Sequence, residues 1–338
     1  MTLKSIFLAL IILQAVVSCS SDPLDVDVSD VSIDIKFIDM DSAFVNSSPS
    51  QLLEMCKKYK TDIKDIYEYQ IGHCWPIGNI PTKDVDDSIK AYLSHPYMVR
   101  LENRIKETFG DKAEMQNKIV DGFKHLKFHF PEKDMPESVV FLNSGFAGSA
   151  ISMEKDIAVG LERYLGNNVD VIQELPPDEF YAWIKEAMDR QFLERDVMAS
   201  WIMTNIIEEP KGGSLVENIV YWGKIIYLVE ACYPEDSENT IIRYSQEDYD
   251  WSIENELAYW EYLVKQELLF KLDDRTKMNM LREGPFTPGL PEVGPDRLGQ
   301  YLGWRMVRQY MENHSDLSLK ELINKNYNSI LQEYETEE

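Results

Sequence analysis

Five histidines stand in this sequence: His73, His95, His125, His129 and His314. A zinc peptidase of the common kind needs two histidines one helical turn apart, with a glutamate base between them. No histidine here is followed by glutamate. His125 and His129 have i,i+4 spacing, but "HLKFH" lacks the glutamate, and Phe128-His129-Phe130 reads as the exit from a helix toward a strand. The pair is therefore read as helix-end histidines rather than metal ligands. Ser144 lies in the small-residue loop "NSGFAGSA" without the strand–elbow–helix spacing of a nucleophile. Gly145 and Gly148 read there as a tight turn. There is no GxSxG, no phosphate-binding loop, no dinucleotide fingerprint and no CxxC. The remaining candidates are carboxylates: Glu217, Glu230 and Glu256. With a distant histidine they would form an unusual acid/base or metal site, a hydrolase reading that no motif supports.

Two C-terminal stretches carry the other candidates. In "YDWSIENELAYWEYLVKQELL" the residues Ile253, Leu257, Trp260, Val264 and Leu268 recur at helical spacing and read as a core stripe. Asn255 and Glu256 lie off that stripe, and a solvated acidic face is the simpler reading of Glu256. In "GPDRLGQYLGWRMVRQYM" Leu298, Leu302, Met306 and Tyr310 share one face. Gly299 and Gly303, with Trp304 beside them, have small-xxx-small spacing. Each glycine costs about 1 kcal/mol of helix propensity, so another backbone is expected to pack closely there. Arg297 opens this helix, where the helix dipole disfavours a cation. It is expected to have a specific acidic partner, in a structural ion pair rather than a ligand contact.

The N-terminus offers chemistry of another kind. Lys4 precedes an apolar run from Ile6 to Val17 that only Gln14 interrupts. Such a run is too short to span a bilayer, which takes about 20 apolar residues. A charged start, a short apolar core and small residues make a secretory signal. The run ends in Val16-Val17-Ser18-Cys19, which resembles the bacterial lipobox. On that reading residues 1–18 are removed, and the Cys19 thiolate carries a lipid through a thioether. Residues 19–30 then form an acidic tether, and several acyl chains hold the protein firmly at a membrane. Ser20 does not resemble an inner-membrane retention signal, so the periplasmic face of the outer membrane is the preferred site.

Composition sets further bounds. With 34 basic against 59 acidic residues the formal charge is −25, which opposes nucleic acid and anionic lipid surfaces as direct partners. A hydrophobic fraction of 44% is enough for a sizeable core. Cys56, Cys74 and Cys232 form an odd set after Cys19, so at least one thiol stays unpaired. Cys56–Cys74 pairing and three reduced thiols are equally open.

The elements that must position these residues follow from periodicity. Val31 to Phe37 alternates like a half-buried strand. Gln51–Tyr59, Pro96–Phe109 and a stripe of Met115, Ile119, Phe123 and Leu126 read as helices. "ESVVFL" reads as a strand, and "DIAVGLERYLG" as a strand or short helix. From Pro176 onward helices dominate: 177–188, 193–207, 215–232, 248–270, 278–282, the Gly299/Gly303 helix, and a last one opened by a Ser318/Glu321 capping box. Strands early and helices late predict one α+β domain over 31–334, mostly helical with a small mixed sheet, followed by an acidic tail at 335–338.

Several segments in order resemble the gliding-motility lipoprotein family called GldB, of the Bacteroidota: "IKFIDMD", "QLLEMCKKYK", "IAVGLERYLG", "VYWGKIIYLVEACYP", "IIRYSQEDYDWSIENELAYWEYLVKQELLF", "EGPFTP" and "GPDRLGQYLGWRMVRQYM". That family is similar in turn to predicted zinc-dependent peptidases with a zincin-like layout. The resemblance implies a metal-helix position at 193–207 and a glutamate helix at 215–232 with Glu217 and Glu230. "LERDVMASWIMTNII" holds no histidine, so the implied scaffold is degenerate and without cofactor. The resemblance further implies an envelope protein that binds gliding or secretion machinery rather than an enzyme.

Overall fold

The structure, a computed structural model, describes residues 24–75, 77 and 85–336. The signal region and Cys19 lie outside the described residues. At its centre is a four-stranded sheet in the order β1-β2-β4-β3: β1 Lys36–Asp39, β2 Ser138–Leu142, β3 Ala150–Ser152 and β4 Asp156–Gly160. β1, β2 and β4 are parallel, and β3 is antiparallel on the edge. All five residues of β2 are buried. Its unbroken apolar run is what a strand covered on both faces requires. Val139, Phe141, Ile157 and Val159 face the larger core, whereas Val140, Leu142 and Ala158 face a smaller one.

The smaller core is roofed by α1 Met40–Val45, α2 Pro49–Asp62, α3 Lys64–Tyr69 and α4 Val85–Leu93. Across the sheet, α5 Pro96–Phe109 and α6 Ala113–His129 bury the expected stripes: Met98, Leu101, Ile105 and Phe109, then Met115, Ile119, Phe123 and Leu126. Each such side chain contributes about 1.5–3 kcal/mol on burial. The C-terminal half adds α7 Leu193–Trp201, α8 Leu215–Cys232, α9 Glu238–Ile242, α10 Gln246–Glu254, α11 Glu256–Lys265, α12 Asp274–Leu281, α13 Leu298–Asn313, α14 Leu319–Ile323 and α15 Tyr327–Leu331. This is the expected α+β architecture, mostly helical with a small mixed sheet.

α8 and α13 form its central girder, and the two glycines act as expected. A Cβ on Gly303 would lie 2.0 Å from the Ile219 carbonyl oxygen, and one on Gly223 would lie 2.0 Å from the Gly303 carbonyl oxygen. Gly299 meets the Met280 carbonyl in the same way, at 2.8 Å. The Ser318/Glu321 capping box is present.

Some boundaries differ from the sequence reading. Residues 31–35 keep the alternation, with Ile33 and Ile35 against the core, but pairing starts only at Lys36, because its partner β2 starts at Ser138. α2 starts earlier than Gln51, at Pro49, and is capped by Ser48 with Gln51, three residues apart. The stretch 177–188 keeps helix only over Ala182–Glu186. The long helix expected over 248–270 breaks at Asn255. The core stripe assigned to it holds only in part: Trp260 and Leu268 pack against the core, but Ile253 is 50% and Val264 49% exposed, and Leu257 is exposed too. The buried face is Tyr249, Ser252, Glu256, Tyr259 and Leu263, because hydrogen bonds to Glu256 turn that face inward. Leu24 and Val28, inside the stretch 19–30 read as a tether, are buried. Cys56, Cys74 and Cys232 are free thiols. Among the described residues no helix is long and apolar enough to cross a membrane.

Candidate functional site

α7 brings the charged run Glu194-Arg195-Asp196 into an apolar core, and all three residues are buried. Arg190 clamps Glu194 through both oxygens at 2.6 and 2.7 Å. Arg195 donates Nε–H to the Ile241 carbonyl (2.9 Å) and Nη1–H to Asp196 (3.2 Å). Asp196 also accepts from Arg243 Nε at 3.0 and 3.1 Å and from the Tyr164 hydroxyl at 3.1 Å. Burial opposes ionisation of Asp196, but Arg243 and Arg195 outweigh it and hold the carboxyl below its ordinary value.

Arg243 follows α9 with φ 66°, in the left-handed region. That conformation costs an ordinary residue roughly 1–2 kcal/mol. Its other donors reach Glu283 at 3.0 Å and the Ala187 carbonyl at 3.2 Å. Arg297, also left-handed at φ 51°, donates to Asp296 at 2.8 Å and to the Arg243 carbonyl at 3.0 Å. Its guanidinium lies 5.3 Å from the Tyr244 ring centroid. The acidic partner expected for Arg297 is therefore Asp296.

Three buried arginines thus share one web, and two cavities flank it. One of about 290 Å³ is lined by Ser149 and Ala150 on the sheet edge, by Arg195 and Asp196, and by Met203 and Trp222. Arg243, Arg282, Glu283 and Arg297 complete its charged wall. The other, about 400 Å³, lies beyond Arg243 and Arg297 and is acidic, with Glu186, Asp189, Glu247 and Asp248. After Trp201 the chain widens into a π-helical turn, Ile202–Ile206, which sets Met203 in the wall of the smaller cavity. Such turns are frequent at functional sites.

A second polar cluster lies at the carboxyl ends of β1, β2 and β4. Asn143 accepts on its carbonyl from Gln70 (2.6 Å) and Trp75 (2.9 Å), and its side chain donates to Glu102 (2.7 Å). Ser144 donates to the Gly148 carbonyl (2.9 Å) and bonds Glu162, which also accepts from the Phe146 amide (2.9 Å). Burial, with Glu162 adding to it, pushes Glu102 up to about 7 against the Asn143 hydrogen bond. Burial also raises Asp41 and Glu162. Ser144 is thus the pin of a tight turn, as expected.

The candidates read from the sequence do not converge. Glu217 packs over Gly213 in a different cavity, beside Lys224 and Glu208. Glu230 lies 13 residues further along α8, roughly 20 Å away at 1.5 Å per residue. It accepts from Trp304 Nε1 (2.7 Å) and pairs with Arg308 (3.1 Å). Glu256 is no solvated acid: it is 8% exposed and accepts from Tyr301 (2.7 Å), Tyr334 (2.7 Å) and Arg305 (2.9 Å). Asn255 donates to the Trp251 carbonyl at the helix break. Gly303 serves the α8–α13 contact, and Gly299 the close approach of α12 to α13. Only Arg297 belongs to the cleft. His125 bonds the Asp121 carbonyl, and burial, then His125, lowers His129 to about 4. Among the described residues, no group of three or more His, Cys, Asp or Glu is arranged to hold a metal ion. Arg195, Asp196, Arg243, Arg282 and Glu283 were missed. The available signal was "LERD", three charges entering an apolar segment.

No curated protein and no solved structure matches the chain. Residues 21–335 match the family described as gliding motility protein GldB. That match covers nearly the whole chain, from before the first described strand to the end of the C-terminal helices, and the protein accordingly belongs to the GldB gliding-motility family.

Proposed function

We propose that this chain is a non-catalytic binding component of the gliding machinery, and of secretion linked to it, held in the envelope by a lipid on Cys19. One observation carries the non-catalytic part. On a peptidase-like layout α7 would be the metal helix, lying against the edge strand β3. Its inward face instead presents Arg195 and Asp196, locked to each other and to Arg243. Guanidinium groups do not ligate zinc, and a lone carboxylate already accepting from Arg195, Arg243 and Tyr164 has little capacity left for a metal. Glu217 and Glu230, the carboxylates of the proposed glutamate helix, face different surroundings and do not meet at α7. For the anchor, the support is the small-residue run ending at Cys19, and Leu24 docks on the folded body only five residues later.

Two measurements test this. Purified protein incubated with zinc and a panel of unstructured peptides should leave every peptide intact by mass spectrometry. Cleavage abolished by chelation would overturn the non-catalytic reading. In cells, Cys19→Ala should move the protein from the membrane to the soluble fraction and stop colony spreading. Membrane retention of that variant would overturn the anchor.

A further inference from the structure

The smaller cavity is rich in arginine although the chain as a whole is acidic. Its wall holds Arg195, Arg243, Arg282 and Arg297 against Asp196 and Glu283, in a chain of net charge −25. The acids do not use up the arginine donors. Arg195 is bonded through Nε and Nη1, and Arg297 through Nε and Nη2. Arg195 Nη2 and Arg297 Nη1 have no hydrogen-bond partner among the described residues and neither is fully sealed from solvent, and both side chains line this cavity. Arg282 makes no ion pair or side-chain hydrogen bond there, and it is exposed. Burial weakens the charged form of Arg195, Asp196 supports it, and Arg243 and Arg297 oppose it. An anion in the cavity would relieve that crowding.

The sheet edge supplies the second half of a site. Ser149 and Met153 bond to Gly160 and Asp156 on β4. In an antiparallel ladder the alternate residues Ala150 and Ser152 then turn their N–H and C=O groups to the opposite side. β3 is the last strand of the sheet, so among the described residues no strand pairs with that side, although Asn205 donates to the Ser152 hydroxyl nearby (3.2 Å). No backbone bond from Ala150 or Ser152 satisfies it among the described residues. Extended peptides add to such edges. The arginine cavity lies at the Ser149–Ala150 end, where β3 begins. A strand added antiparallel to β3 finishes there, and antiparallel pairing is the commoner mode.

We propose that this cleft captures the C-terminal end of an extended partner peptide, which pairs antiparallel with β3 and places its terminal carboxylate among Arg195, Arg282 and Arg297. Met203, Trp222 and Leu281 form the apolar wall beside that point and suit an apolar last residue. The proposal rests on the non-catalytic binding reading and names the partner class for it.

The test uses the full chain purified in detergent and a pool of N-terminally fluorescein-labelled hexapeptides ending in leucine. The same pool is made with a free carboxylate and with a carboxamide. By fluorescence anisotropy the carboxylate pool binds saturably, and the carboxamide pool binds about tenfold or more weaker, the loss expected for a charge-assisted contact. Arg282→Gln, an exposed change that leaves the fold alone, brings the carboxylate pool down to the carboxamide level. Hydrogen exchange at the Ala150 and Ser152 amides slows only with the carboxylate pool. Equal affinity of the two pools, no effect of Arg282→Gln, or no binding at all would sink the proposal. So would equally tight binding by a carboxamide pool with an internal glutamate, which would assign the cavity to side-chain carboxylates. Mass spectrometry of the recovered peptides separates the two readings. Bound but cleaved peptide overturns the non-catalytic function and keeps the site; intact, unbound peptide overturns the site alone.

Discussion

Gly303→Ala puts the α8–α13 contact to a quantitative test. The new methyl would sit 2.0 Å from the Ile219 carbonyl oxygen, 2.8 Å from its carbon and 3.1 Å from the Gly223 nitrogen. Cβ contacts below 3.0 Å are not tolerated. All three atoms are backbone, so no side chain can swing away and the two helices must part by about 1 Å. A gap of that size forfeits roughly a quarter to a half of each contact it opens. The contacts at stake are made by the buried neighbours Leu302, Trp304, Met306 and Val307. Overpacking between rigid groups costs about 1–3 kcal/mol, and the upper end applies here. Alanine returns about 1 kcal/mol of helix propensity. The net loss is therefore about 2 kcal/mol, or roughly 4 °C in Tm for a chain of this size. Thermal denaturation followed by circular dichroism measures it. Gly299→Ala, whose nearest backbone neighbour is 2.8 Å away, should lose less. Gly223→Ala with Gly303→Ala should lose less than the sum of the two, because both force open the same helix contact. A Tm for Gly303→Ala equal to or above that of the parent would refute the close-approach account.

Further outcomes follow from the buried polar groups. Glu256→Ala leaves Arg305 and the Tyr301 and Tyr334 hydroxyls without their shared acceptor and should cost about 3–5 kcal/mol in denaturant unfolding, the range for a broken buried pair; a loss below 1 kcal/mol would return Glu256 to a solvated role. Stability should also depend on pH through the carboxyl cluster at the strand ends. Glu102, raised to about 7, with Asp41 and Glu162 also raised, binds protons more tightly folded than unfolded. The Glu102 contribution is complete below the ordinary carboxylate range and is lost as pH rises through about 7; those of Asp41 and Glu162 are lost in the same direction. Asp196 is shifted the other way, and its contribution is lost only as pH falls below the ordinary carboxylate range. Tm should therefore fall between about pH 4.5 and 7, the span from the ordinary glutamate value to the raised one of Glu102, and Glu102→Gln should flatten that slope while keeping an acceptor for Asn143; a parent curve flat across the window would contradict the raised carboxyls.

The fold was legible where a single period governed a segment. α5 and α6 bury the stripes their spacing announced, because each packs one face against one core. The glycine pair and Arg297 were legible for a different reason: each breaks a local preference, and only a tertiary contact explains that. The stripe at 253–268 misled because amphipathicity was judged on apolar residues alone. The inward face there is built around a carboxylate with three donors, and no hydropathy pattern encodes that. The cleft was illegible for a topological reason. Arg195, Arg243 and Arg297 come from separate segments, and two of them meet only through left-handed backbone that periodicity does not reveal.

The early docking of Leu24 has a mechanical consequence. On the proposed anchor, four residues separate the lipidated cysteine from Leu24, the first buried side chain among the described residues, a leash of at most about 18 Å over five chain steps when fully drawn out. A globule so closely moored cannot roam or tumble freely. On that proposed anchor the flank where residues 25–29 share a cleft with α6 would stay turned toward the bilayer, and whatever the molecule engages would come to it from the side or from above, at a fixed height.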